Sequence, residues 1–309
     1  MVAVTISAAG KLPLAKGLPA TVEVSAQATV GDIKKALQAK FPKFKVSRQK
    51  LSRKGDKKSL MNEATLTSAG ISDGTELEAK DLGPQIGWTT VFLVEYGGPL
   101  LIHPLFYHLP QTFYRQAVEH SPLQKYVYGM VMAHFVKREL ETLFVHRFSH
   151  DTMPFRNIFK NSAHYHILSG VLLAGAIYSP TYSATSSYIV NTIRDNPRFL
   201  QGCTAFWVFC QLSNFSTHMT IRNLRPAGTR RRAIPYGYGF GLVSVPNYFF
   251  ETLGWTTISV MTGSYAAWFF TFVSTYQMLV WAAKKHQQYK KEFGKEYPRN
   301  RKAMIPFIF

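Results

Sequence analysis

The pattern of apolar and polar positions changes character once along the chain, near Gly83. Before it, short alternations dominate. Val2, Val4 and Ile6 share one side with polar or small neighbours between them, and Val22 and Val24 repeat the pattern. A period of two marks a half-buried strand. Thr29 stands as an N-cap ahead of a helical pattern over 30–37, and Pro42 stops that helix. Residues 47–51 and 75–79 read as two further short strands.

Beyond Gly83 the pattern becomes long apolar, aromatic-rich stretches. Six predict membrane spans: 86–109, 126–145, 163–178, 199–219, 238–261 and 265–283. A helix crossing a bilayer core needs about 20 predominantly apolar residues. Of the 17 acidic residues, only Glu95, Glu119, Glu139, Glu141, Asp151, Asp195, Glu251, Glu292 and Glu296 lie in this larger part. The fifth span is a poor continuous helix, because Gly237, Gly239, Gly241 and Pro246 interrupt it. Irregular backbone at membrane depth survives only where it is buried or lines a cavity.

The length of 309 residues accommodates two domains. The expected organisation is a water-compatible domain over 1–81, then an all-α multi-pass domain of about six helices over 84–309. The formal net charge of +19 raises nucleic acid as a partner. The basic residues, however, fall in runs between apolar stretches (Lys137-Arg138, Arg222 with Arg225, Arg230-Arg231-Arg232, Lys284-Lys285). That favours positive-inside topology and a phosphate-bearing ligand instead. With a cytosolic amino-terminal domain, segments 146–162, 220–237 and 284–309 share its side, as does the carboxyl terminus. Cys203 and Cys210, about 10 Å apart on a helix, are too distant for a disulfide. No zinc site, P-loop or dinucleotide-binding glycine fingerprint is found.

Three groups place polar residues where lipid makes them costly. Asn214, His218, Arg222 and Arg225 fall within an arc of roughly 80° on one helix, a stripe about 16 Å long. Such a track suits an extended polyanion; topogenic arginines with a polar helix contact are the plainer reading. Asn247, Tyr248 and Glu251 follow Pro246, which suits the first turn of a new half-helix. A buried Tyr there can donate a proton, although Tyr is also a common interfacial residue. Lys137, Arg138, Glu139 and Glu141 form the third group, followed by His146 and Arg147. Lys137 and Glu141, one turn apart, could simply neutralise each other.

The residues 214–225 resemble the Asn-x-x-x-His-x-x-Leu-x-x-Leu-Arg signature of the steroid 5α-reductase-like membrane reductases, with Ile221 in place of the first Leu. Pro246-Asn247-Tyr248 with Glu251 and Trp255 continues the pattern, as do His286, Tyr289, Tyr297-Pro298 and 301–307. The order of elements in 1–81 resembles the ubiquitin-like β-grasp, without a closing Gly-Gly. Together with 137–150, that start is similar to the very-long-chain trans-2-enoyl-CoA reductase branch. The resemblance implies NADPH-dependent reduction of the 2,3 double bond of a long-chain 2-enoyl-CoA, as the last step of fatty acid elongation. It places the chain in the endoplasmic reticulum membrane among lipid, beside a condensing enzyme, a ketoreductase and a dehydratase. It implies Tyr248 as proton donor with Lys137 assisting. It further implies Asn214, His218, Arg222, Arg225, Asn247, Glu251, His286 and Tyr289 at the cofactor, with no metal and no nucleic acid. A sterol or polyprenol reductase of the same superfamily is the alternative. A non-catalytic ubiquitin-like membrane scaffold is a further one.

Overall fold

The computed structural model describes all residues except 57, 149–151 and 225–232. It divides into two compact units, one of Met1–Trp88 with His150–Asn157, the other of Thr89–Ser149 with Ile158–Phe309.

In the first unit, strands β1 (Val2–Ala8), β2 (Ala20–Val24), β3 (Gln49–Arg53) and β4 (Glu76–Asp81) form one sheet in the order β2-β1-β4-β3. The outer pairs are antiparallel, and the central pair β1–β4 is parallel. Alternation sends Val4, Ile6, Val22, Val24, Leu51, Leu77 and Ala79 into one core. Helix α1 (Val30–Lys40) adds Val30, Ile33 and Leu37 to that core. Its start is closed by Asp32, whose carboxylate accepts from the Thr29 amide at 3.0 Å and the Thr29 hydroxyl at 2.8 Å. A second, two-stranded sheet pairs β5 (Gln85–Gly87) with β6 (Thr152–Pro154). The alternation read from the sequence missed this pairing, because three-residue strands carry too few positions to show a period. Ile86 therefore belongs to a strand, not to the first apolar span.

The second unit is helical: α2 (Trp88–His108), α3 (Pro110–Tyr114), α4 (Pro122–Phe144), α5 (Asn157–Ala163), α6 (Leu173–Ile177), α7 (Pro197–Asn223), α8 (Pro246–Thr262) and α9 (Tyr265–Phe293). A π-helical stretch, His164–Leu172, leads into α6. The core gathers Phe135, Tyr178, Trp207, Trp255, Ile258 and Phe270. Trp255 sits edge-on to Phe270 at 4.7 Å and to His134 at 4.9 Å.

The expectation of six apolar spans needs correction. Among the described residues, no helix is both long and apolar enough to cross a membrane. Length is not what α2, α4, α7 and α9 lack. Their apolar runs are broken by Glu95, Pro99 and His103, by Lys137 to Glu141, by Gln211, Asn214 and His218, and by Tyr276 and Gln277. The third stretch is partly π-helical, and the fifth yields helix only from Pro246. Gly239 explains that late start. Its φ is +76°, and a Cβ there would meet the Pro246 side chain at 2.7 Å, so the chain turns here before α8 begins. Pro246 then occupies the first turn of the helix.

Candidate active site

Helices α4, α7 and α8 bring together most of the polar residues singled out by the sequence. On α4, Lys137 and Glu141 lie one turn apart, with Nζ 2.8 Å from Oε1. Lys137 also donates to Asn214 Oδ1 on α7 at 2.6 Å. The other end of that amide donates to the Asn247 carbonyl at 2.8 Å and reaches Glu251 Oε2 at 3.4 Å, both on α8. Asn214 thus ties three helices with one side chain. Gly254 helps α8 come close to α7, since a Cβ there would stand 3.1 Å from Gln211 Nε2.

Arg138 points the other way around the same carboxylate. Its Nη1 donates to Glu141 Oε2 at 2.5 Å, and its Nη2 donates to the Tyr96 hydroxyl at 2.8 Å. Glu141 is 2% exposed, so two cations compensate a buried carboxylate, as a buried charge requires. His218, one turn beyond Asn214, approaches Arg138 at 3.4 Å and His146 at 2.8 Å through Nδ1.

These groups border a cavity of about 270 Å³ lined by Arg138, Val145, His146, Arg147, Phe148, His218, Ile221, Arg222, Asn247, Tyr248 and Lys285. Val145, Phe148, Ile221 and Tyr248 contribute apolar and aromatic surface, and Arg138, Arg147, Arg222 and Lys285 contribute cationic groups. Arg147 also donates to the Arg222 carbonyl at 3.2 Å, next to the end of α7, where carbonyls lack helical partners. Three buried polar atoms of lining residues, Arg138 Nε, Asn247 Oδ1 and His218 Nε2, have no hydrogen-bond partner among the described residues. Buried polar groups are ordinarily satisfied, so unpaired atoms in a cavity wall are what a polar ligand would complete.

Of the residues named from sequence, His218, Arg222, Asn247 and Tyr248 line the cavity. Lys137, Asn214 and Glu251 stand behind them in the hydrogen-bonded layer. Lys137 itself is not in the cavity wall. Arg225 lies outside the described residues. His286 and Tyr289 are placed elsewhere. His286 Nδ1 meets Ser244 Oγ at 2.5 Å, and Ser244 also reaches the Tyr297 hydroxyl at 2.6 Å. Tyr289 stacks on Tyr297 at 5.7 Å. Together they anchor the carboxyl-terminal strap, whose Lys302 and Ala303 carbonyls accept from Ser244 and Val245 just before α8. Sequence spacing could not separate these roles, because both sets lie on long helices with the same polar signature.

Arg138, His146, Arg147 and Lys285 are lining residues that the sequence did not assign to the site. Their adjacency to Lys137 and His286 was the available signal. The carboxylate of Glu141 and the rings of His146 and His218 bring three ligand-type atoms within 4.8 Å of one another. Lys137 and Arg138 already neutralise that carboxylate, so a divalent cation there would meet two positive charges at contact range.

A family model described as 3-oxo-5-alpha-steroid 4-dehydrogenase matches residues 151–309. The chain is 46% identical to an enoyl reductase of Schizosaccharomyces pombe over 99% of both chains. It is 37% identical to the very-long-chain enoyl-CoA reductase of Dictyostelium discoideum over 92% of this chain and 93% of that one. It is 30% identical to the human trans-2,3-enoyl-CoA reductase-like protein over 93% of this chain and 78% of that one.

Proposed function

The chain belongs to the 3-oxo-5-alpha-steroid 4-dehydrogenase family and is an oxidoreductase of its enoyl-CoA reductase kind, and from that premise we propose that it reduces the 2,3 double bond of long-chain trans-2-enoyl-CoA with NADPH, closing the fatty acid elongation cycle. The observation that carries the reading is a cavity that combines apolar and aromatic residues with four cationic ones, with Tyr248 and the residues of the unpaired Asn247 and His218 atoms in its wall.

The donor set fits a dinucleotide phosphate. Arg222, Arg147 and Lys285 supply charge-assisted donors for phosphate oxygens. Asn247 Oδ1 suits an amide donor, and the His218 ring suits a polar ligand atom. The cavity's volume of about 270 Å³ lies below the roughly 300–1,000 Å³ usual for ligand pockets, so it suits one end of the cofactor rather than the whole. NADPH, when bound, supplies the hydride that goes to carbon 3 of the enoyl thioester.

The residues of the chain do the rest. Tyr248 delivers a proton to carbon 2 as negative charge develops on the thioester oxygen. Lys137 acts through Asn214, whose amide holds the Asn247 carbonyl and so the turn bearing Tyr248. Glu141 keeps Lys137 and Arg138 in place.

The same proposal places 84–309 in the endoplasmic reticulum membrane with both termini cytosolic. Its polar groups cluster inward, while Leu101 (71% exposed), Phe272 (71%) and Leu212 (63%) stand on outer surfaces. Outward apolar and inward polar faces are what lipid as solvent demands, and a hydropathy averaged over all faces conceals the difference. Residues 1–81 are proposed as a ubiquitin-like domain, supported by the strand order β2-β1-β4-β3 and by α1 packed in its core. The other elongation enzymes are the proposed partners.

The test is turnover by the full chain, purified in detergent. NADPH oxidation should depend on added long-chain trans-2-enoyl-CoA and yield the saturated thioester. NADPH binding with every enoyl-CoA left unreduced would end this reading.

A further inference from the structure

Two donors converge on one nitrogen of His218, while a third group, the Glu141 carboxylate, stays 3.6 Å from it, beyond hydrogen-bond range. Arg138 Nη1 lies 3.4 Å from Nδ1, and His146 Nε2 lies 2.8 Å from it. A guanidinium has only donors, so a guanidinium facing Nδ1 makes that atom the acceptor. A neutral ring then carries its proton on Nε2. The 2.8 Å contact between the two rings needs one hydrogen, and it must come from His146 Nε2. His146 is in turn gripped by aromatic edges, with Phe92 at 6.4 Å and Phe148 at 6.1 Å between ring centroids.

The other nitrogen of His218, Nε2, is buried and has no hydrogen-bond partner among the described residues. His218 lines the cavity beside Asn247 and Tyr248. By the assignment above, that nitrogen is an N–H in want of an acceptor.

We infer that His146 is a positioning residue: by donating to Nδ1 it holds His218 in the Nε2–H tautomer and so presents a fixed donor to an oxygen of the bound dinucleotide. The ligand half of this inference rests on the proposed NADPH site; the tautomer half rests only on the protein. Nothing in the sequence separates His146 from the basic run around it, because its partner lies 72 residues away.

The experiment uses the full chain with ¹⁵N-labelled histidine, its His218 signals assigned by their loss in His218→Gln. In the dinucleotide-free wild type, the His218 ring should show a protonated Nε2 and a bare Nδ1. His146→Phe keeps the aromatic contacts and removes the donor. That leaves Nδ1 only the long 3.4 Å contact from Arg138, with Glu141 Oε2 3.6 Å away to attract a proton onto it, so the two tautomers should mix and NADPH binding should weaken about tenfold, with the thermal midpoint unchanged. His146→Gln, whose amide can donate to the same atom, should stay within about twofold of wild type. A proton on Nδ1 of His218 in the wild type overturns the inference even if His146→Phe does not fold. So does wild-type affinity in His146→Phe, or a folded His146→Gln that binds as poorly as His146→Phe. If the chain binds no NADPH at all, the cofactor reading and the ligand half fall together, and the nitrogen spectrum decides the tautomer half alone.

Discussion

Lys137 and Asn214 meet across α4 and α7, the ammonium donating to the amide oxygen at 2.6 Å. The same amide turns its nitrogen to the Asn247 carbonyl at 2.8 Å, so two hydrogen bonds join Lys137 to the residue before Tyr248. A lysine that the sequence offered as a partner of the phenol therefore stands behind the cavity wall.

That relationship separates two substitutions. Tyr248→Phe removes the proposed proton donor and leaves the layer behind it intact. Turnover of enoyl-CoA should fall by about 10²–10³, with the NADPH dissociation constant and the thermal midpoint unchanged. Single-turnover kinetics beside a binding titration would check this.

Glu141→Gln should act on folding first. It leaves Lys137 and Arg138 without their shared carboxylate in a buried position. Loss of one partner from a buried ion network costs roughly 3–5 kcal/mol, read as a lowered denaturation midpoint in detergent. A variant as stable as wild type would mean that the Glu141 charge is not what compensates the two cations.

Arg222→Ala should distinguish cofactors. If its guanidinium meets the phosphate that only NADPH carries, KM for NADPH rises about tenfold. KM for NADH should then stay within about twofold. Equal losses for both would assign Arg222 to a shared phosphate.

Ser244→Ala tests the placement of His286 and Tyr289 outside the cavity. The variant takes away the hydroxyl bonded to His286 and Tyr297. It should lower stability by about 1–3 kcal/mol and leave NADPH affinity unchanged.

The amino-terminal unit should show its own acid dependence. Hydrogen bonds from the Thr29 backbone and hydroxyl, with Lys35 nearby, hold the Asp32 carboxyl down at about 2 from an ordinary 3.8. Its folded value is depressed, so its stabilising contribution is present above pH 3.8 and is lost as pH falls toward 2. Protection of the α1 amides, taken relative to their intrinsic exchange rate at each pH, should therefore fall over that window in the wild type. In Asp32→Asn the same amides should exchange faster already at neutral pH and respond less to acid.

Local signals determined a good deal of this protein. Alternation around Val4, Ile6, Val22 and Val24 marked the strands, Thr29 marked the start of α1, and Pro246 marked the start of α8, because each depends on neighbours within a few residues. Helical spacing likewise put Asn214, His218 and Arg222 on one stripe of α7. Only the tertiary structure decided what that stripe faces. It set Lys137 against Asn214, joined His146 to His218, enlisted Arg147 and Lys285 in the cavity, and drew His286 away to Ser244. Those partners lie 42 to 77 residues apart in sequence. The same long separation hid the β5–β6 pairing. A helical period says which side chains share a face; the packing of helices against one another says which faces meet.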